Sequence, residues 1–400
     1  MAMQKRLALG AIALLCALFA VRSVQRASVA PPLYNWDMTC YVALAIAWGE
    51  SDPELIHRRT YETLQAEVPE EHYRAIITGG VKQSRYEDPV AFHEHLAFYR
   101  ARILYTYPIY LLNRFFDVPL TSATWGISRA AWFGLACLMA IWAAGSLGWF
   151  WGLPVGTLLA HAPWFVSHLG FSSPDLQATL LTCLGLYFLI ERRKDIVGAA
   201  LLTATIAIRP DTVILALVLA AALWFFDRES RPSNRFLLIW SVGSVIAYVA
   251  VSKYAGAYGW WPLFWISFIK KEVFPSEIPG TPNWTYYFKV VQQKLLEIPH
   301  SGYYTLQRGV TGSTLPLAFV GLLMAGYEVV RRSGNAAFGR YSALFVALGL
   351  TYGVRWILFP QLWDRFFAVL YACVPLVFLS IAAELSARQE KMSGEPVEMS

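Results

Sequence analysis

The sequence predicts an all-α membrane protein, a polytopic bundle of about ten transmembrane helices whose first outer loop carries interfacial helices. Three observations lead there. Hydrophobic residues fill 56% of the chain and charged residues only 15%, against roughly 25% charged in a soluble protein. Apolar runs recur at lengths suited to ~30 Å of hydrocarbon, which takes about 20 helical residues. Between them lie short basic clusters and an abundance of Trp and Tyr, residues that favour the two faces of a bilayer.

Taken in order, the apolar runs fall at about 7–24, 123–147, 150–169, 172–190, 196–208, 211–226, 236–253, 314–330, 341–358 and 366–384. The first follows Lys5-Arg6 and also resembles a signal peptide. No clear small-residue cleavage site precedes the stretch 22–26, so it reads as an uncleaved span. The basic groups Lys5-Arg6, Arg192-Arg193-Lys194, Arg228/Arg231/Arg235, Arg331-Arg332/Arg340 and Arg388/Lys391 alternate correctly if all are cytoplasmic. Both termini are then inside, and the long loops 25–122 and 254–313 are outside. The net charge of +6 needs no nucleic-acid partner, because inward loops of membrane proteins collect Lys and Arg. The five Cys show neither a disulfide framework nor zinc spacing.

Residues 196–226 test the scheme. One helix of that length would reach about 46 Å, too long for one crossing, and basic clusters flank both ends. A hairpin with Arg209-Pro210-Asp211 at its tip satisfies both facts, and its charged tip must face water or protein. In the first outer loop, 37–48 suits a helix lying on the membrane. Residues 51–90 are polar, and 99–116 suits a second interfacial helix. The second outer loop opens with Trp260-Trp261-Pro262, turns at Pro275, Pro279 and Pro282, and continues as a helix near 286–297. Residues 1–386 form one transmembrane domain. The polar tail 387–400 is expected to be disordered and cytoplasmic.

On this topology Asp37, Asp88, Arg102, His168, Asp175, Arg209, Asp211, Asp364 and Arg365 all fall outside. Asp37 suits either a general base or the cap of the helix it opens. Asp175, in Ser172-Ser173-Pro174-Asp175, suits either an acid facing the acceptor or a favourable helix start. Arg209 is an intramembrane charge, which makes it a functional candidate. Arg365 and Arg102 have planar forks that fit phosphate, or they anchor the chain at the interface. His161 and His168 have no metal-ligand spacing. Helix N-termini on the outer face add to a field that attracts a lipid phosphate.

These residues together resemble the GT-C superfamily of membrane glycosyltransferases, which use polyprenyl-phosphate-linked sugars. The likeness rests on an early acid in a large first outer loop (Asp37 before Tyr41) and on the second interfacial helix with Arg102-Ile103-Leu104-Tyr105 and Pro108. It rests also on Asp175 in a short outer loop, the Arg209-Pro210 turn, and Arg365-Phe366 opening a late span. The resemblance implies Asp37 as base, with Asp175 assisting through the acceptor or a divalent metal. It implies Arg209 and Arg365 as ligands of the lipid phosphate, with Arg102, Asp211, Tyr41 and His168 as further substrate contacts. It implies a polyprenyl-phosphate-linked sugar as donor and a glycan, lipid or protein as acceptor. The chain departs from the pattern in two places, which leave a divalent metal open: Met38 follows Asp37, and the second loop lacks Asp-x-Asp. A bacterial inner membrane is the expected compartment. Two other functions fit the composition, a flippase of lipid-linked precursors and a non-catalytic subunit of an envelope assembly complex. A transporter would be expected to show internal repeats, and none is evident.

Overall fold

A computed structural model describes Gln25 and residues 32–393, except 167, 229, 309–313, 333–337 and 362–363. Among the described residues there are helices and no strand; Leu33 and Phe171 form an isolated bridge. The expected first span at 7–24 lies outside the described residues.

The segment before the first long apolar helix folds into a helical layer of its own. It contains α1 (Trp36–Ile46), α2 (Pro53–Glu67), α3 (Glu70–Ile77), α4 (Val81–Glu87), α5 (Pro89–Leu96) and α6 (Ile103–Phe116). Asp52 and Asp88 cap α2 and α5, each followed by a Pro that needs no amide partner. Here the structure corrects the sequence reading. α1 does not lie on a membrane surface: residues 38–45 are all buried. An apolar helix without a polar face is driven inside, and Tyr61, Leu64, Phe92, Leu96, Tyr105 and Ile109 close over it.

α7 (Leu120–Ala160) follows. As one rod of 41 residues it would span about 60 Å. Gly148, at φ 76° and ψ 159°, breaks it, and the second arm folds back on the first. A Cβ on Gly152 would stand 2.2 Å from the Cα of Ala144, and one on Gly156 2.4 Å from that of Ala140. Only glycine lets the two backbones meet so closely. This is the antiparallel pair expected at 123–147 and 150–169, with a shorter second arm, and a single turn, Pro163–Val166, beyond it.

The remaining helices are α8 (Asp175–Leu186), α9 (Asp195–Ala204), α10 (Thr212–Phe226), α11 (Asn234–Ala255), α12 (Trp260–Phe268), α13 (Trp284–Arg308), α14 (Thr314–Arg332), α15 (Gly339–Leu358) and α16 (Ala368–Ser393). Among the described residues four helices are long and apolar enough to cross a membrane: α7, α11, α15 and the Ala368–Ser386 part of α16. α9 with the turn after it and α10 are shorter apolar helices. The helix of α16 continues through 387–393, into the segment expected to be disordered. The core, with Trp132, Trp142, Leu186, Leu219, Phe345 and Tyr371, joins α7, α8, α10, α15 and α16.

Polar groups gather at the two ends of this core. At one end Arg340, 4% exposed, reaches four partners at once. It donates to Asp227 Oδ2 at 2.8 Å, Asp195 Oδ1 at 2.8 Å, the Leu189 carbonyl at 2.5 Å and the Ser230 carbonyl at 2.8 Å. The base of α9 and the end of α10 are thereby tied together, so 195–227 is a hairpin with Arg209-Pro210-Asp211 at its far tip, as the flanking charges required. Arg340→Leu strands the fully buried Asp227 carboxylate. The expected loss is about 3–5 kcal/mol, read as an unfolding midpoint in detergent. Arg331→Gln, which breaks an exposed pair with Glu328, should leave that midpoint unchanged.

Candidate functional site

At the opposite end the chain brings together groups from five separate segments. The first is the start of α1. Asn35 caps this helix, its side chain accepting from the Met38 amide at 3.0 Å. Asp37, the second helical residue, is therefore not the cap, and its carboxylate points to other partners. Oδ1 accepts from the Tyr99 hydroxyl at 2.8 Å, and Oδ2 lies 3.3 Å from Arg365 Nη1.

From Arg365 the contacts continue as an alternating series. Its Nη1 is 3.9 Å from Asp175 Oδ2. Asp175, which opens α8, pairs through Oδ1 with Arg209. Arg209 Nε is 3.2 Å from Asp211 Oδ1, and Asp211 Oδ2 is 3.0 Å from Arg355 Nη2. Arg355 Nη1 donates to the Phe366 carbonyl at 2.9 Å. The Phe366 ring lies beneath three cations, with the guanidinium carbons of Arg355, Arg209 and Arg365 at 4.4, 5.0 and 5.3 Å from its centroid. Its π face supports positive charge there without a further carboxylate.

A narrow crevice opens among these groups and enters the bundle between α8, α10, α15 and the start of α16. It encloses about 450 Å³ of non-atom space, solvent mouth included. Asp175, Arg209, Asp211, Arg355, Arg365 and Phe366 form its charged rim. Deeper, the buried hydroxyls of Thr182 and Thr351 line the wall without a partner among the described residues.

The other expected contacts sit further back. Arg102 donates to the Phe98 carbonyl, and its guanidinium carbon lies 4.8 Å from the Tyr99 ring and 5.8 Å from that of Tyr41. Tyr41 is 2% exposed and packs edge-on against Tyr99 and Tyr105, so it supports Arg102 rather than lining the crevice. His168 packs at a tilt against Phe171, with ring centroids 5.4 Å apart, and stands within electrostatic reach of Asp175, outside the crevice wall. Asp88 is a helix cap. Among the described residues no three His, Cys, Asp or Glu side chains are grouped to hold a metal ion.

Arg355 and Tyr99 were not singled out from the sequence. Arg355 stands in the apolar run 341–358, and the rule that drew attention to Arg209 as an intramembrane charge applies to it equally. Tyr99 carries no comparable signal, since its role depends on where α1 turns. Compared with family models, curated proteins and solved structures, the chain finds no match.

Trp36, beside Asp37, is fixed by His95: its Nε1 donates to His95 Nε2 at 3.1 Å. Indole is a donor only, so this ring nitrogen must be unprotonated. Burial, together with the charges of Arg85 and Arg102, holds the His95 pKa well below its ordinary value. The unfolded chain takes up a proton at His95 as pH falls through ~6.5, while the folded chain does not. The stabilisation is therefore complete above that pH and lost below it, by roughly 1 kcal/mol per pH unit. Unfolding midpoints of the wild type should fall between pH 7.5 and 5.5, and His95→Gln should flatten that dependence.

Proposed function

We propose that the chain is a membrane glycosyltransferase that moves a sugar from a polyprenyl-phosphate-linked donor to an acceptor at the outer face of a membrane. The observation that carries this reading is the convergence of Asp37, Asp175, Arg209 and Arg365 in one series of ion pairs at the mouth of the crevice, Asp37 joining it through Arg365. They come from positions up to 328 residues apart and meet at the end of the bundle away from the basic loops. The outward orientation, the bacterial inner membrane and the full set of about ten spans belong to the same proposal.

The chemistry follows from the charges present. Asp37 takes the proton from an acceptor hydroxyl or amine. The freed lone pair attacks the anomeric carbon, and the bond from that carbon to the phosphate oxygen breaks with its electrons going to the oxygen. The configuration at the anomeric carbon inverts. The departing polyprenyl phosphate gains negative charge, which Arg365 and Arg209 meet with planar, two-pronged donors. Arg355 joins them as a third cation on the Phe366 ring. Thr182 and Thr351 offer hydroxyls that can donate to or accept from a polyhydroxylated group deeper in the crevice. Asp175 and Asp211 hold the arginine forks in place between turnovers.

Reconstituted protein should transfer label from a polyprenyl-phosphate-linked sugar. Asp37→Asn should lower the transfer rate about 10²–10⁴-fold while donor binding persists. Arg365→Ala should weaken donor binding as well as rate. Full turnover by the Asp37 variant would remove the base from the scheme. Movement of the lipid-linked sugar across vesicles without any transfer would favour a flippase instead.

A further inference from the structure

At the end opposite the crevice, the turn between α10 and α11 has features that the proposed transfer does not use. Trp224, Phe225, Arg228 and Arg231 line a groove that encloses about 800 Å³ of non-atom space, open solvent included. Trp224 and Phe225 are 45% and 61% exposed at the end of α10. Arg228, Arg231 and Arg235 are exposed beside them. Arg231 Nη1 donates to the Trp224 carbonyl at 3.3 Å, and its guanidinium carbon lies 5.9 Å from the Trp224 ring centroid.

The turn that carries the groove is fixed. Asp227 is fully buried and holds the turn by accepting from the Ser230 amide at 3.2 Å and hydroxyl at 2.7 Å. Arg340 neutralises Asp227 from beneath and binds the Ser230 carbonyl. With Asp227 paired, the sequence 227–235 leaves three arginines against Glu229 alone. α11 begins here, and the amides of its first turn add positive potential. Three residues beyond Arg235 an exposed apolar stripe starts, formed by Leu238, Ile239, Val242, Val245, Ile246 and Val249. The spacing places these residues on one helix face.

A basic, aromatic-rimmed groove set at the head of an exposed apolar stripe matches a molecule with a phosphate at one end and hydrocarbon below it. We propose that the α10–α11 turn binds the headgroup of an anionic glycerophospholipid, with Arg228 and Arg231 on the phosphodiester, Trp224 at the glycerol level and an acyl chain along α11. The site does not depend on the transfer chemistry and shares with the proposed function only the orientation of the loops. The charge bias of the loops places it in the cytoplasmic leaflet, where anionic lipids collect.

The test is a titration of the full-length protein, held in phosphatidylcholine nanodiscs, with short-chain phosphatidylglycerol, read by native mass spectrometry. Arg228→Gln/Arg231→Gln should weaken binding about thirtyfold, from roughly fivefold per arginine near an anionic headgroup. Arg228→Lys/Arg231→Lys should retain most of it. Arg192→Gln/Arg193→Gln, which removes as much charge from another loop at the same end, should leave it unchanged. Wild-type affinity in the double Gln variant would overturn the proposal. So would equal loss in the Arg192/Arg193 control, which would mean diffuse surface charge. Inorganic phosphate binding as strongly as the lipid would also overturn it, because the apolar stripe would then contribute nothing. Unchanged unfolding midpoints in phosphatidylcholine establish that the variants are folded.

Discussion

The structure turns on the alternating series of charges Asp37, Arg365, Asp175, Arg209, Asp211 and Arg355. Each of these groups stands near the end of an apolar element, where a charge without a partner or water is costly. Apart from the local pair Arg209 and Asp211, each finds its partner on another segment. α1, α8, the tip of the α9–α10 hairpin, the end of α15 and the entry to α16 are therefore held in one arrangement by mutual need. Buried ion pairs contribute little net stability, because desolvation offsets most of their attraction. What they do supply here is register: sliding one helix past the others breaks the pairs that cross between segments.

The two polar ends of the bundle differ in kind. Arg340 and Asp227 have side chains 4% and 0% exposed, and every bond they make is to protein that is itself fixed. That end is closed. In the charge series beside the crevice the side chains of Asp37, Arg365 and Asp211 are 25%, 22% and 34% exposed. Water or a ligand can compete for these pairs. The same chemistry, guanidinium against carboxylate, thus serves as a fastening at one end and as an exchangeable set at the other. Accessibility to solvent decides which.

Much of this was legible in the sequence, for a specific reason. In a chain so apolar, charged residues near the ends of apolar runs are conspicuous, and Asp37, Asp175, Arg209, Asp211 and Arg365 all stood out. The hairpin was legible because 196–226 is too long for one crossing and too short for two full-length ones. The break at Gly148 fell between two expected spans. Other features needed three dimensions. Asn35 and Asp37 are both good capping residues, and only the backbone decides that Asn35 takes the role. The interfacial placement of α1 failed because its apolar faces were read against lipid, while α2, α5 and α6 supply protein instead. Tyr41 was read as a ligand contact because it follows the acid, yet one helical turn carries it into the core. Arg355 lies inside the apolar run 341–358, where a lone charge in hydrocarbon is itself an informative signal.

Because Asn35 takes over capping, both oxygens of Asp37 are available for other bonds, and at rest Tyr99 and Arg365 occupy one each. In the proposed reaction a proton acceptor needs an oxygen turned toward the incoming hydroxyl or amine. Arg365 is the partner that a phosphate would draw away, since it offers the same two-pronged geometry to either anion. Arrival of the donor phosphate then releases Oδ2, while Tyr99 keeps the carboxylate oriented through Oδ1. Arg209 undergoes the same exchange, and Asp211 and Arg355 remain behind it as a pair that does not have to move. In the proposed reaction the network imposes an order. The lipid phosphate enters first, and only then does the carboxylate meet the acceptor, so an acceptor arriving at the empty site finds the base already engaged by protein.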